Sequence, residues 1–386
     1  MRNKITRNSH IFNLLNDSER DLFKKGLIFE KSQDFSEHVK LNGTELDMIA
    51  ETKTKKLQFI EASTPALVLA PMDGITDAPM RDFQGNRGTF TYGVSEFLRV
   101  SIEPIPLKVF KRDVPELSNG GLTESGMPVQ VQILGGDPGR MAKSAHTAFR
   151  AGAKAIDINF GCPAPTVNRH DGGASLLREP CRIREIVRAV RDSVPADIPV
   201  SAKLRLGWDS IDAIHENAAM AAEGGASWLT IHARTRVQGY TPPVYWQPIG
   251  KVREALGIPI VANGDIWSIE DFRKCQAETG CLHFMIGRSA LSNPMLPFQI
   301  SKEMGLRASP ALSTNWIHVL KEFVKYLDPQ DQTHPHRKLM RLKQWMKIAN
   351  NFGDFHHFDE VKHATTVDEF FDSLGSALAQ EAPLQV

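Results

Sequence analysis

Cysteine is scarce in this chain: four in 386 residues, at 162, 181, 275 and 281, with no CxxC pair among them. That excludes a disulfide framework and gives no support to a zinc site, so no bound metal is expected. No apolar run approaches the roughly 18 residues that a membrane span requires. The opening MRNKITRNSHIFNLLNDSER is polar and mixed in charge, without the apolar stretch of a secretory leader. A cytoplasmic protein with no membrane attachment is the expectation. Net charge is only +1, from 46 Lys and Arg against 45 Asp and Glu. The chain therefore lacks the basic excess that advertises a nucleic-acid binder, and any such partner must be met by a local patch. The common nucleotide motifs are missing too. Gly135-Gly136-Asp137-Pro138-Gly139 has the wrong spacing for GxGxxG, and no Walker loop occurs.

What is present is an ordinary globular composition, 41% hydrophobic and 24% charged, with material for a sizeable core. Residues 1 to 63 show scattered apolar positions without a sustained period and are expected to form an appendage, partly disordered. From Pro65 a rhythm begins in which short apolar or alternating runs recur with helical patterns between them. The runs are Ala66 to Ala70, Tyr92 to Phe97, Val129 to Leu134, Ala155 to Asn159, Val200 to Leu206, Trp228 to His232, Pro259 to Asn263 and Leu282 to Ile286. Helices are expected over Gly139 to Arg150, Pro180 to Val194, Asp212 to Glu223 and Ser268 to Glu278, the last opened by a Ser268–Asp271 capping spacing. Eight such units in about 240 residues make a (β/α)8 TIM barrel over 64 to 306, with a doubly wound sheet as the alternative. After Leu306 the period turns helical. Apolar stripes through Trp316 to Leu327, Leu339 to Ala349 and Val367 to Leu378 predict a small helical bundle over 307 to 386, and Thr366 with Glu369 reads as a second capping box.

Strand parity singles out the candidate site. Barrel strands are covered outside by helices, so polar residues on them point inward. In Val200 to Leu206, Lys203 and Arg205 share the inner face; parity adds Gln132, Asn159, His232 and, at the end of strand seven, Asn263. Burying such a layer without partners costs about 1–3 kcal/mol per group, so a large polar ligand at the barrel mouth is implied. The loops after strands seven and eight, Asn263-Gly264-Asp265 and Gly287-Arg288, suit a phosphate. A phosphorylated cofactor beside a Lys suggests FMN or pyridoxal phosphate, and the breadth of the amide layer favours the flavin. Cys162 ends strand four on a turn stiffened by Pro163 and Pro165, facing the same mouth. With an ordinary pKa near 8.5 its thiol is largely protonated at neutral pH and can donate a proton to one carbon while a hydride reaches its neighbour. Asn159 and Arg205 can orient the substrate's carbonyls.

These residues resemble the flavin-dependent tRNA-dihydrouridine synthases. The resemblance runs from about Pro65 to the C-terminal helices. Its most specific piece is IDINFGCPAPTVNRHDGGA at 156 to 174, supported by APMDGITD at 70, VQILG at 131, SAKLRLGW at 201, IHARTRVQGY at 231, VANGDIW at 261 and MIGRSAL at 285. It implies an FMN barrel and a helical tRNA-binding domain that reduce a D-loop uridine at the expense of NADPH. On that resemblance Pro71, Met72, Gln132, Lys203, His232, Asn263, Gly264, Asp265, Gly287 and Arg288 contact the flavin, Cys162 is the general acid, and Asn159, Arg205 and Tyr240 hold the uracil. The wording LMRLKQWM, RLGWDS and RTRVQGY is most similar to the bacterial C-type, which acts at position 16. Two basic runs suit tRNA phosphates: Arg337, Lys338, Arg341, Lys343 and Lys347 in the tail, and Arg99, Lys108, Lys111 and Arg112 after strand two. A monomer is expected. The alternatives are a small-molecule pyrimidine flavin reductase, which gives the tail no purpose, and a non-catalytic tRNA-binding factor, which gives Cys162 and Lys203 none.

Overall fold

The expected apolar runs close into a parallel barrel. The computed structural model describes residues 57, 59–306, 315–327 and 335–381, so most of the N-terminal appendage lies outside the described residues. The strands are β1 Ala66–Leu69, β2 Tyr92–Val94, β3 Leu98–Arg99, β4 Val129–Leu134, β5 Ile156–Asn159, β6 Val200–Arg205, β7 Leu229–His232, β8 Ile260–Asn263 and β9 His283–Ile286. Their order is β2-β1-β9-β8-β7-β6-β5-β4-β3, and pairing of β2 with β4 closes the ring. Closure excludes the doubly wound alternative, which is an open sheet.

The second expected strand, Tyr92 to Phe97, is interrupted. Val94 pairs with Gln130 and Leu98 with Ile133, so four steps on one strand oppose three on the other. The extra residue makes a bulge, and Ser95 repairs the ladder by accepting the Gln132 backbone N–H on its hydroxyl at 3.0 Å. Glu96, next in the chain, accepts the Ile75 N–H at 3.0 Å and ties the β1 loop to this strand.

Outward-facing Leu67, Leu69, Val131, Ile133, Ile156, Ile158, Ala202, Leu204 and Ile231 pack under the surrounding helices. Those helices begin and end for local reasons. Pro138–Ala151 is capped by Asp137, carries Pro at its first turn and stops at Gly152 with φ 116°. A Cβ at Gly152 would lie 2.5 Å from the Leu117 carbonyl oxygen, so both backbone and neighbour require glycine. Ile269–Thr279 has the full reciprocal capping box between Ser268 and Asp271. Inside the barrel the halves differ. Val68, Ala70, Tyr92, Val94, Val261 and Met285 make an apolar wall across β1, β2, β8 and β9, joined by Phe59 and Trp228 at the strands' N-terminal end. Phe59 stacks on Trp228 at 6.5 Å and meets Tyr92 edge-on at 5.3 Å. The opposite wall, β4 to β7, is polar.

The tail forms helices Trp316–Val324, Pro335–Phe352, Phe358–Val361 and Val367–Glu381. All three predicted stripes turn inward, and the cluster they form includes Met80, Phe83 and Leu291 from the barrel side. Phe83 meets Phe323 and Trp345 edge-on, each at 5.5 Å, and Trp345 Nε1 donates to the Leu291 carbonyl at 2.8 Å. The expected Thr366–Glu369 box is only half made. Thr366 Oγ1 accepts the Glu369 N–H, but the Glu369 carboxylate turns to the Thr365 N–H and hydroxyl. Among the described residues no helix is long and apolar enough to cross a membrane.

Candidate active site

A cavity of about 710 Å³ opens at the C-terminal ends of the strands. It is lined by Cys162, Asn159, Gln132, Lys203, Arg205, His232, Tyr240 and Asn263, and by Pro71 and Met72 after β1, Gly264 and Asp265 after β8, and Gly287 and Arg288 after β9. Parallel pairing accounts for the convergence: Asn159 is level with Lys203, Arg205 with His232 and His232 with Asn263.

The polar wall is connected by hydrogen bonds. Lys203 Nζ donates to Asn263 Oδ1 at 3.2 Å, and Asn263 Nδ2 donates to the Met285 carbonyl at 2.8 Å. Asn159 Nδ2 donates to Gln132 Oε1 at 2.9 Å, and Gln132 Nε2 to Asp157 Oδ2 at 2.7 Å. The other end of Asn159, Oδ1, accepts the backbone N–H groups of Gly161 at 2.9 Å and Cys162 at 3.0 Å. Arg205 links that turn to the loop after β7, donating to the Gly161 carbonyl at 2.8 Å and to the Thr235 and Gly239 carbonyls at 3.0 and 2.7 Å. Its guanidinium carbon lies 5.3 Å from the centre of the Tyr240 ring, which is exposed. Asn159 and Arg205, read from sequence as substrate contacts, are thus heavily engaged in shaping the turn that carries Cys162.

Burial sets the charge states. It pushes the Cys162 thiol above the ordinary thiol range, against a backbone hydrogen bond at Ala164 and the Arg205 and Arg99 charges, so the thiol keeps its proton at neutral pH. Desolvation and then the Arg205 charge lower Lys203 to about 8, against the pull of Asp157. His232 is held well below 6.5 by burial and four surrounding cations, and is neutral. Its Nδ1 is buried with no partner among the described residues.

The loops after β8 and β9 depend on glycine and positive-φ backbone. Gly264 has φ 118° and Asp265 φ 48°, and Trp246 Nε1 donates to the Gly264 carbonyl at 3.0 Å. A Cβ on Gly287 would come within 3.1 Å of Ala70 and 3.2 Å of the Met72 sulfur. Asp265 is held by Arg234, which is fully buried and also donates to the Thr241 carbonyl, and pairs with Arg288 at 3.5 Å. Arg288 lies over Tyr240 and Phe352 at 4.6 Å each and over Trp267 at 5.2 Å. A cavity of this volume, with a neutral imidazole whose Nδ1 has no partner among the described residues, a Lys ammonium and amides on one wall, an apolar opposite wall and an Arg beside glycine backbone, fits a flavin mononucleotide.

The basic residues divide. Arg99 is exposed at the rim and donates to the Thr166 carbonyl at 3.1 Å, beside the Cys162 turn. Arg337 is exposed on the helix Pro335–Phe352. Arg341, on the same helix, faces the barrel: it donates to the Gly74 and Ile75 carbonyls at 2.8 and 2.7 Å and to Asp77 at 2.9 Å. Sequence reasoning did not single out Asp157, Arg234, Trp267 or Phe352. The period of two places Asp157 on the face of Asn159 and Arg234 on that of His232, a usable signal. Nothing local marks Phe352, which reaches the mouth from the tail and stacks on Trp267 at 5.4 Å.

A closed parallel barrel with this mouth is that of a flavin-dependent oxidoreductase. Residues 68–381 match the family described as Dihydrouridine synthase (Dus), and the chain belongs to that family. It is 43% identical over 289 residues to the tRNA-dihydrouridine(16) synthase of Shewanella oneidensis, covering 74% of this chain and 88% of that one. It is 45% identical over 283 residues to the protein of the same name from Aquipseudomonas alcaligenes, covering 73% and 89%. The Neisseria meningitidis serogroup B protein of that name is 41% identical over 308 residues, covering 78% and 92%.

Proposed function

We propose that this protein reduces the uridine at position 16 of the tRNA D-loop to 5,6-dihydrouridine, with FMN in the barrel mouth, NADPH as reductant and Cys162 as proton donor, acting as a cytoplasmic monomer. The observation that carries it is the meeting of a protonated Cys162 with Lys203, His232 and Asn263 on one cavity; position 16 rests on the names of the relatives.

FMN supplies the hydride when bound and reduced. The chain's own groups do the rest. Pro71, Met72 and Gln132 line the cavity and would contact the ring system, and Lys203, fixed by Asn263, would offer it a positive charge. His232 Nδ1 has a vacant hydrogen-bond direction in the same wall. Gly264, Asp265, Gly287 and Arg288 form the phosphate end, with Asp265 and three rings orienting Arg288. Cys162 Sγ delivers the proton to the substrate carbon next to the one that receives hydride. Arg205 and Asn159 hold the turn beneath it and, with Tyr240 at the rim, form the uracil side. Residues 307–386 seat the tRNA, with Arg337 and Arg99 offered to its phosphates. A base in a loop must be splayed out to enter such a mouth.

The test is to map dihydrouridine in tRNA from cells lacking this protein. The expected result is loss at position 16, restored by the parent chain and not by Cys162→Ala, which keeps its flavin colour but loses turnover by about 10²–10⁴-fold. Unchanged dihydrouridine at position 16 overturns the assignment, and activity on a free pyrimidine in place of tRNA supports a small-molecule reductase.

A further inference from the structure

We infer that Asp157 is a positioning residue: it is the acceptor-only root of a directional hydrogen-bond chain through Gln132 and Asn159 that fixes the orientation of both amides and thereby holds the Cys162 turn. The inference rests on the reading of Cys162 as proton donor only for its functional meaning.

The argument uses the two-ended nature of an amide. Asn and Gln each present a C=O that only accepts and an NH2 that only donates. At one end of the chain stand the backbone N–H groups of Gly161 and Cys162, which can only donate, so Asn159 must turn its oxygen to them, at 2.9 and 3.0 Å. Its nitrogen then faces Gln132, which must offer Oε1, at 2.9 Å. That leaves Gln132 Nε2 to find an acceptor, and it finds Asp157 Oδ2 at 2.7 Å. The second Asp157 oxygen accepts the Ser201 hydroxyl, whose oxygen in turn accepts Gln130 Nε2 at 2.9 Å. Asp157, Gln132 and Asn159 are all buried, so water cannot freely replace a lost partner. The orientation is therefore demanded from both ends, by donors at the turn and by a carboxylate at the root. Asp157 pairs with Gln132 across β4 and β5 and lies on the same face as Asn159, two residues on. The short strand β5 thus carries both ends of the device, and the polar wall of the barrel supplies the link.

A chain with a direction can be reversed. In Asn159→Asp both ends of the chain become carboxylates, so whichever way Gln132 turns, its carbonyl oxygen faces one of them. Adding Asp157→Asn restores a donor at the root: the new amide donates to Gln132 Oε1, Gln132 Nε2 donates to the carboxylate at 159, and that carboxylate still accepts the Gly161 and Cys162 N–H groups. The new amide oxygen still receives the Ser201 hydroxyl. Net charge is the same as in the parent.

The experiment measures, in the flavin-loaded protein, the iodoacetamide alkylation rate of Cys162 against exposed Cys181 as internal reference, together with the unfolding temperature. Asn159→Asp is expected to change the Cys162 rate by about fivefold or more and to lower the unfolding temperature by about 2–4 °C. The double variant Asp157→Asn with Asn159→Asp is expected to return the rate to within about twofold of the parent and to recover most of the unfolding temperature. If Asp157 merely fills space, the two substitutions act independently and the double variant is worse than either; that result overturns the inference, as does an Asn159→Asp protein indistinguishable from the parent. Should Asn159→Asp fail to accumulate as folded protein, accumulation of the double variant is the rescue, and its failure counts against the chain. Neither measurement involves tRNA, so a wrong substrate assignment leaves the outcome unaffected.

Discussion

Lys203 illustrates how a single residue trades stability for chemistry. Its ammonium sits in the polar wall beside Arg205, and burial lowers it to about 8 against an ordinary 10.5. Between those values the unfolded chain binds more protons than the folded one, so stability of the flavin-free protein should rise as pH goes from about 8 towards 10.5. Lys203→Met removes the buried charge. We expect it to raise the unfolding temperature of the flavin-free protein while weakening FMN retention, measured by gel filtration of the coloured protein. A variant that keeps flavin as well as the parent removes Lys203 from the cofactor site. Cys162 behaves oppositely. Its thiol is raised above the ordinary thiol range by burial, so its proton is present throughout the neutral range and is lost only at higher pH. The thiolate ultraviolet absorbance that disappears in Cys162→Ser should emerge only at a pH higher than that of an ordinary thiol; emergence near neutrality would make Cys162 a nucleophile and not a stored proton. Parity in β4 to β7 made most of these side chains legible from sequence, because one strand period decides inward or outward. What each inward group does with its hydrogen bonds was not legible: sequence assigned Asn159 and Arg205 to the substrate's carbonyls but gave no sign that both also bond the Cys162 turn.

At the scale of elements, the helix Pro335–Phe352 has two distinct faces. Its buried side carries Leu342, Trp345, Met346 and Ala349 into the shared cluster, and Arg341 ties it to the loop after β1. Its exposed side presents Arg337. The basic run read from sequence therefore separates into an anchor and a phosphate candidate. Arg341→Ala should destabilise the protein by about 1–3 kcal/mol in a denaturant titration, because it leaves the Gly74 and Ile75 carbonyls without their charged donor. Arg337→Ala should leave stability within about 0.5 kcal/mol of the parent. It should also reduce the slope of log tRNA affinity against log salt by about 1. Identical behaviour of the two variants would dissolve the distinction. The helix ends at Phe352, whose ring stacks on Trp267 and lies against Arg288, so the tail helps to line the cavity. Periodicity revealed the stripes of this helix, but an anchor and a solvent-facing cation look alike in sequence, since only the docked partner tells them apart.

For the whole molecule, the important fact is that barrel and tail share a core. Met80, Phe83 and Leu291 pack with Phe323, Trp345 and Phe370 in one cluster, so removing the tail would uncover apolar surface on the barrel. Calorimetry of the intact protein should show one cooperative transition for the barrel and tail together; two well-separated transitions would mean that the interface contributes little. The sequence by itself determined the alternation of eight strands with helices, the inward set of polar residues and the stripes of the tail, because each depends on a period of two or 3.6 residues along the chain. The segment Ile156 to Ala174 likewise carried the resemblance to the family whose model residues 68–381 match. Only the tertiary structure decided that the sheet closes, that Glu96, next to a bulge at Ser95, holds the β1 loop, that Asp157 anchors a chain of amides leading to Cys162, and that Phe352 arrives at the mouth from the far end of the chain. Those depend on which residues of distant segments come within hydrogen-bond or van der Waals reach, and no local period encodes that.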